Sequence, residues 1–245
     1  MAITIGPGIT VAAGVGISSS SSSPLTNQVL SLDAGNPASY PGAGGYSTWT
    51  DTVGSMMFTL VNGPTYNSAN GGYIQFNPSA GQYAASPTNL GTLAAWSIEA
   101  WHYYDGTNVG SGPNIFTEYS YGGGTINLGL GSGGGNETSL QAWWYGPGFQ
   151  ATDPGYSLTP GAWYQIVGTF DGTTLNLYVN NALVQTANKP PGGAANPGIG
   201  YGLMTRWDPG GQWGGRLAIV NVYNLALSDA EVSQNFNYYR SRFGL

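Results

Sequence analysis

The sequence predicts an all-β protein, an antiparallel β-sandwich with one C-terminal helix and an extended N-terminal arm. Three observations carry that expectation. Residues 163–185 read as three short strands joined by tight turns at Asp171-Gly172 and Asn180-Asn181, residue types that tolerate the positive φ of two-residue hairpins. Leu175, Leu177 and Val179 alternate there with Asn176, Tyr178 and Asn180, and Tyr164, Ile166 and Phe170 share one face of the preceding strand. A hairpin this apolar on one side needs a second sheet to cover it. Finally, 41 glycines and 15 prolines in 245 residues suit many short strands with frequent turns, and helical spacing of apolar residues is convincing only at the C-terminus.

In chain order, residues 1–17 place Ile3, Ile5, Pro7, Ile9, Val11, Ala13, Val15 and Ile17 at every odd position, with threonine, glycine and alanine between them. Sustained period two argues for an extended arm of about 50 Å if fully stretched. Its wholly apolar face cannot lie alone in water. Docking on another chain through Ile3, Ile5, Ile9, Val11, Val15 and Ile17 is preferred over an added strand on the same domain. Residues 18–23 are six serines and read as a linker, so the expected division is 1–23 for arm and linker and 24–245 for the sandwich.

Strands are expected at 96–104, 113–120, 125–131 and 139–145, with glycine-rich turns between them. The strand 216–223, apolar on both faces, should be central. At the C-terminus Ser228 and Glu231 form a capping box, with Leu227 and Val232 as a hydrophobic staple. Val232, Phe236, Tyr239 and Phe243 follow as one helical stripe, Arg240 and Arg242 sit at the negative end of the helix dipole, and Gly244 can cap it.

Several phrases carry a family resemblance. The strand led by Trp163, the Thr169-Phe170-Asp171-Gly172 turn, and Leu175 to Asn180 are similar to laminin G-like modules of the concanavalin A-like lectin/glucanase superfamily. So are Trp96-Ser97-Ile98-Glu99-Ala100-Trp101 and the closing strand 215–223 with Ala226-Leu227-Ser228. The opening at 29–42, the phrases at 60–66 and 71–76, and the ending at 235–244 resemble, in this order, laminin G-like modules of bacteriophage virion proteins. The resemblance implies a jelly-roll sandwich of concanavalin A-like type. It departs at Asn77 to Tyr83, where such modules usually carry an Asp-rich turn. Hard cations need several oxygen ligands, preferably anionic, so no metal or other cofactor is expected.

Composition narrows the function. Charged residues are 7% of the chain, against about 25% on average, and the net charge is −6. The five basic residues are spread over 189–242 and form no cluster to neutralise phosphates, so nucleic acid is not an expected partner. There is no apolar run long enough for a membrane helix, and no cysteine for disulfides, thiolate metal sites or nucleophilic catalysis. The superfamily's glucanases use several carboxylates on one strand face; here Glu99 has only Asp105 nearby and Glu118 stands alone, so a hydrolase is disfavoured. His102, the one histidine, is expected to be a half-buried strand residue. For sugar binding the best trio is Arg206, Trp207 and Asp208, followed by Trp144 and Tyr145, since indole faces stack on sugar rings and charged groups hold hydroxyls.

These readings converge on a non-enzymatic phage virion protein, a capsid decoration or fibre protein or else a tail component. Its expected partners are other virion proteins through residues 1–17, further copies of itself as a homo-oligomer, and host-surface glycans, with no membrane partner. The alternative is a secreted or cell-surface carbohydrate-binding lectin.

Overall fold

Strand alternation becomes two stacked sheets because each strand has a face that must leave water. The computed structural model describes residues 3–4, 10–11, 28–119, 128–132, 139–145, 149–152, 156–188, 199–206 and 208–245. Its strands are β1 (Gln28–Asp33), β2 (Thr48–Thr50), β3 (Met57–Val61), β4 (Thr65–Asn67), β5 (Tyr73–Phe76), β6 (Tyr83–Ser86), β7 (Trp96–Tyr104) and β8 (Asn114–Tyr119). Then come β9 (Leu128–Gly131), β10 (Ser139–Tyr145), β11 (Phe149–Ala151), β12 (Ala162–Phe170), β13 (Thr174–Val179), β14 (Ala182–Asn188), β15 (Gly200–Leu203) and β16 (Gly215–Tyr223). Helix α1 (Asp229–Phe243) closes the chain.

One sheet runs β14-β13-β12-β7-β16-β5-β4, with β1 also on β16; the other runs β11-β10-β9-β8-β15-β6-β3-β2. Every strand pair is antiparallel. The hairpin faces fall as the alternation requires. Leu175, Leu177, Val179, Ile166 and Phe170 enter the core between the sheets, and Tyr178 faces the opposite way, with Val232 of the helix. Full burial of each such aliphatic side chain contributes roughly 1.5–3 kcal/mol. Strand β16 is central, with β7 on one side and β5 and β1 on the other.

The helix covers the outer face of the first sheet. Ser228 accepts from the Glu231 amide, Glu231 reaches back to Ser228, and Gly244 takes a left-handed cap at φ 75°. Phe243 and Phe236 stack on Trp101 at centroid distances of 4.6 and 6.0 Å. Arg242 ties the helix end back to the start of the sandwich. Its Nη1 donates to both Asp33 oxygens (2.9 and 3.0 Å), its Nε to the Asn70 carbonyl (2.7 Å) and its Nη2 to the Gly72 carbonyl (2.8 Å). The turn after β1 passes so close to Gly71 that a Cβ on Gly35 would collide with its carbonyl, which is why the segment after Asp33 carries glycine.

At the N-terminus, Ile3–Thr4 and Thr10–Val11 form a two-residue antiparallel ladder, Ile3 opposite Val11, instead of lying end to end. Ile5, Ile9, Val15, Ile17 and the serine run lie outside the described residues.

Candidate functional site

Asn108–Val109 pairs with Gln212–Trp213 at one end of the sandwich and carries the loop in which a sugar site was expected. There Arg206 and Asp208 turn on each other. The guanidinium meets the carboxylate through Nε–Oδ1 and through Nη2–Oδ2 at 2.6 Å, and its Nη1 donates to Ser111 Oγ at 3.1 Å. The Gly210 amide completes the Asp208 shell at 3.1 Å. Accordingly Arg206 holds the Asp208 carboxyl below its ordinary range, and Asp208 raises the guanidinium in turn. The pair closes the loop on itself and offers a ligand less than two free charges would. Trp207 lies outside the described residues. Trp144 and Tyr145 lie on β10, opposite Gln150 and Phe149 of β11, and β9 and β8 separate β10 from β15, the strand that leads into the Arg206 loop.

Under that loop the chemistry is structural. His102 is fully buried, which corrects the half-buried expectation. Trp213 Nε1 can only donate, and it donates to His102 Nε2 at 3.0 Å. The ring proton therefore sits on Nδ1, 3.0 Å from the Arg216 carbonyl. Burial lowers the imidazole from its usual 6.5 to about 4, so the ring is neutral at pH 7.

The carboxylates are likewise engaged. Glu99 is buried between β7 and the helix and accepts from four side-chain donors. They are Trp101 Nε1 (3.1 Å), Gln165 Nε2 (2.8 Å), Asn221 Nδ2 (3.2 Å) and Asn235 Nδ2 (2.9 Å). Desolvation pushes its pKa up, and those four bonds oppose the push. Asp51 is buried too and gathers the amides of Ser31, Val53 and Gly54 at 2.7–2.9 Å, fixing the turn between β2 and β3. Asp171 caps its own hairpin turn, and Asp229 accepts from Tyr178 at 2.6 Å. Glu118 is buried on β8, opposite Tyr201, in the sheet that does not contain Glu99. Among the described residues no three His, Cys, Asp or Glu side chains gather as a metal site would require.

Two features escaped the sequence. Trp143 is buried and donates from Nε1 to Asn114 Oδ1 at 3.0 Å, lying over Gly129 where a Cβ would collide. Second, an open groove of about 420 Å³ lies against β2 and β3, with Thr48, Thr59 and Met57 on one side and residues 87–90 on the other. Its rim at Ser55 takes φ 61°, a left-handed conformation rare for serine, beside the turn that Asp51 holds. The groove combines hydroxyls with apolar surface and brings together segments thirty to forty residues apart, a union that no local motif announces.

The laminin G family model, described as the concanavalin A-like lectin/glucanases superfamily, matches residues 78–233. The chain belongs to this superfamily. Among solved structures, this concanavalin A-like sandwich is similar to domain 4 of AbnA, an extracellular arabinanase from Geobacillus stearothermophilus solved with arabinotriose. That match has a TM-score of 0.65 at 14% identity and covers 86% of this chain and 98% of that one. It is similar also to Trypanosoma rangeli sialidase (TM-score 0.62, 18% identity, 89% of this chain), of which it spans 34%. A third likeness is the botulinum neurotoxin type G receptor-binding domain (TM-score 0.58, 14% identity, 86% of this chain), of which it spans 51%. At such identities these likenesses concern the fold. No curated protein sequence matches the chain significantly.

Proposed function

We propose that the chain is a non-enzymatic bacteriophage virion protein, a capsid decoration or fibre protein or a tail component, that displays a lectin-like sandwich and is anchored by its N-terminal arm. The observation that carries the non-enzymatic part is the use of the carboxylates. Glu99, Asp51, Asp171, Asp208 and Asp229 each hold the fold together, whereas glycoside hydrolysis needs two acids flanking a substrate groove. The virion part rests on the sequence phrases at 29–42, 60–66, 71–76 and 235–244 and on the apolar period-two pattern of residues 1–17. The test is to purify particles of the phage that encodes the chain and label them with antibody against the sandwich. Labelled particles are expected, together with a folded chain lacking residues 2–17 that no longer joins them. Label confined to the soluble fraction, or normal incorporation of the deletion, would overturn the proposal.

A second reading, glycan binding by the displayed sandwich, is favoured by the groove beside Thr48, Thr59 and Met57. With Arg206 and Asp208 committed to each other, the groove is the better place for a sugar. A glycan array with the native chain, Trp207→Ala and Thr59→Val separates the sites. Binding lost only in Thr59→Val supports the groove, loss only in Trp207→Ala restores the loop, and no binding by the native chain leaves a purely structural module.

A further inference from the structure

The ends of the two sheets are unequally protected. On the second sheet the outermost strands, β2 and β11, are three residues long. On the helix-bearing sheet β4 is also three residues. The outer side of β1 is covered, because the Ser31 carbonyl accepts from the Thr52 amide at 2.9 Å and the Ser31 amide donates to Asp51. Strand β14 differs. It has seven residues, pairs only with β13 among the described residues, and leaves Ala182, Leu183, Thr186 and Asn188 exposed, Leu183 by 50%. Long edge strands are commonly guarded by lysine, proline or an inward charge. Residues 174–188 contain no charged residue and no proline; Lys189, Pro190 and Pro191 come only after the strand's last residue, Asn188.

We infer that β14 is a self-association edge, on which the β14 strand of a second copy pairs antiparallel across a twofold axis. The neutral hairpin is what makes a second copy the fitting occupant. Two chains of net charge −6 repel as wholes, and residues 174–188 are a place where they can approach with no like charges opposed. An antiparallel strand paired with itself is self-complementary, as a twofold interface requires. The chain's own arm is the competing occupant, but its described dipeptides pair with each other and not with β14. One irregularity limits the contact. The ladder to β13 shifts register between Leu177 and Tyr178, which leaves Val184 as the extra residue, partly buried against the core. The regular run is therefore Gln185 to Asn188, opposite Thr174 to Leu177. So short a ladder gives a dimer that forms with rising concentration.

The absence of cysteine makes the test clean. Sedimentation of the full chain over a wide concentration range should show a monomer–dimer equilibrium. Single Thr186→Cys or Asn188→Cys variants, both at exposed positions, should form disulfide-linked dimers on mild oxidation. Thr186→Lys, which opposes two ammonium groups near the axis, should weaken the dimer at least tenfold while far-UV dichroism and the melting temperature stay near native. A chain that remains monomeric at every concentration overturns the inference. So does a dimer that neither crosslinks through these positions nor responds to Thr186→Lys, and one lost only on deleting residues 2–17 belongs to the arm.

Discussion

His102 shows what a single position can hide. Its partners, Trp213 and Arg216, lie more than a hundred residues away, so nothing near it in sequence announces that it is buried and committed at both ring nitrogens. A histidine held neutral when folded and titrating near 6.5 when unfolded loses stability as acid is added. The folded chain resists the proton that the unfolded chain accepts. Its contribution is complete above 6.5 and falls as pH drops towards 4, by roughly 3 kcal/mol at the low end. Glu99 works in the opposite sense. Its raised pKa makes its contribution complete below 4.5 and smaller as pH rises through the folded value. Imidazole 15N shifts of the folded protein at pH 5 should report a neutral ring protonated on Nδ1; an imidazolium at that pH would contradict the geometry. The sugar trio was legible only in part. The two-residue spacing of Arg206 and Asp208 permits both ligand binding and mutual pairing, and the structure has the pairing.

Elements were more legible than residues, because period and capping are local. The Asp171-Gly172 and Asn180-Asn181 turns, the capping box and the Gly244 cap occupy the places their residue types dictate. Val232 and the three aromatic rings of the helix stripe were visible as a face, but Asn235, buried to serve Glu99 and Tyr223, was not, since a polar residue breaks the pattern it completes. The helix end is fixed by Arg242, whose planar fork meets a carboxylate and two carbonyls at once. Arg242→Ala should cost about 2–3 kcal/mol. Arg242→Lys should recover little of it, because an ammonium cannot make the forked contact. Urea melts of the three proteins decide this, and full recovery by lysine would mean that charge alone matters there.

At the scale of the whole molecule, the fold class followed from the apolar hairpin and the punctuation by glycine, while the order of strands did not. No local signal tells that β16 slots between β7 and β1, or that segments near 48–59 and 87–90 would share a groove. The core itself is testable at Ile166, fully buried between the sheets. Ile166→Asp places a carboxylate there without a partner and should abolish the cooperative thermal transition. A variant that still melted cooperatively near the native temperature would move Ile166 out of the core.

The central place of β16 has a consequence for synthesis. Strands β1, β5 and β7 are complete by Tyr104, yet all three pair with residues that the ribosome supplies only from Gly215 onward. A nascent chain therefore carries the open edges of these strands until residues 215–223 are made, and the helix and Arg242 that finish that sheet emerge after them. Folding of this sheet thus waits for residues 215–223, with long-range pairing that makes it slow. A chain stopped after Gly214 should be digested by protease at a rate near that of the unfolded protein. Supplying residues 215–245 as a separate peptide should restore protection, and a stopped chain that is already resistant would mean the early strands have found another partner.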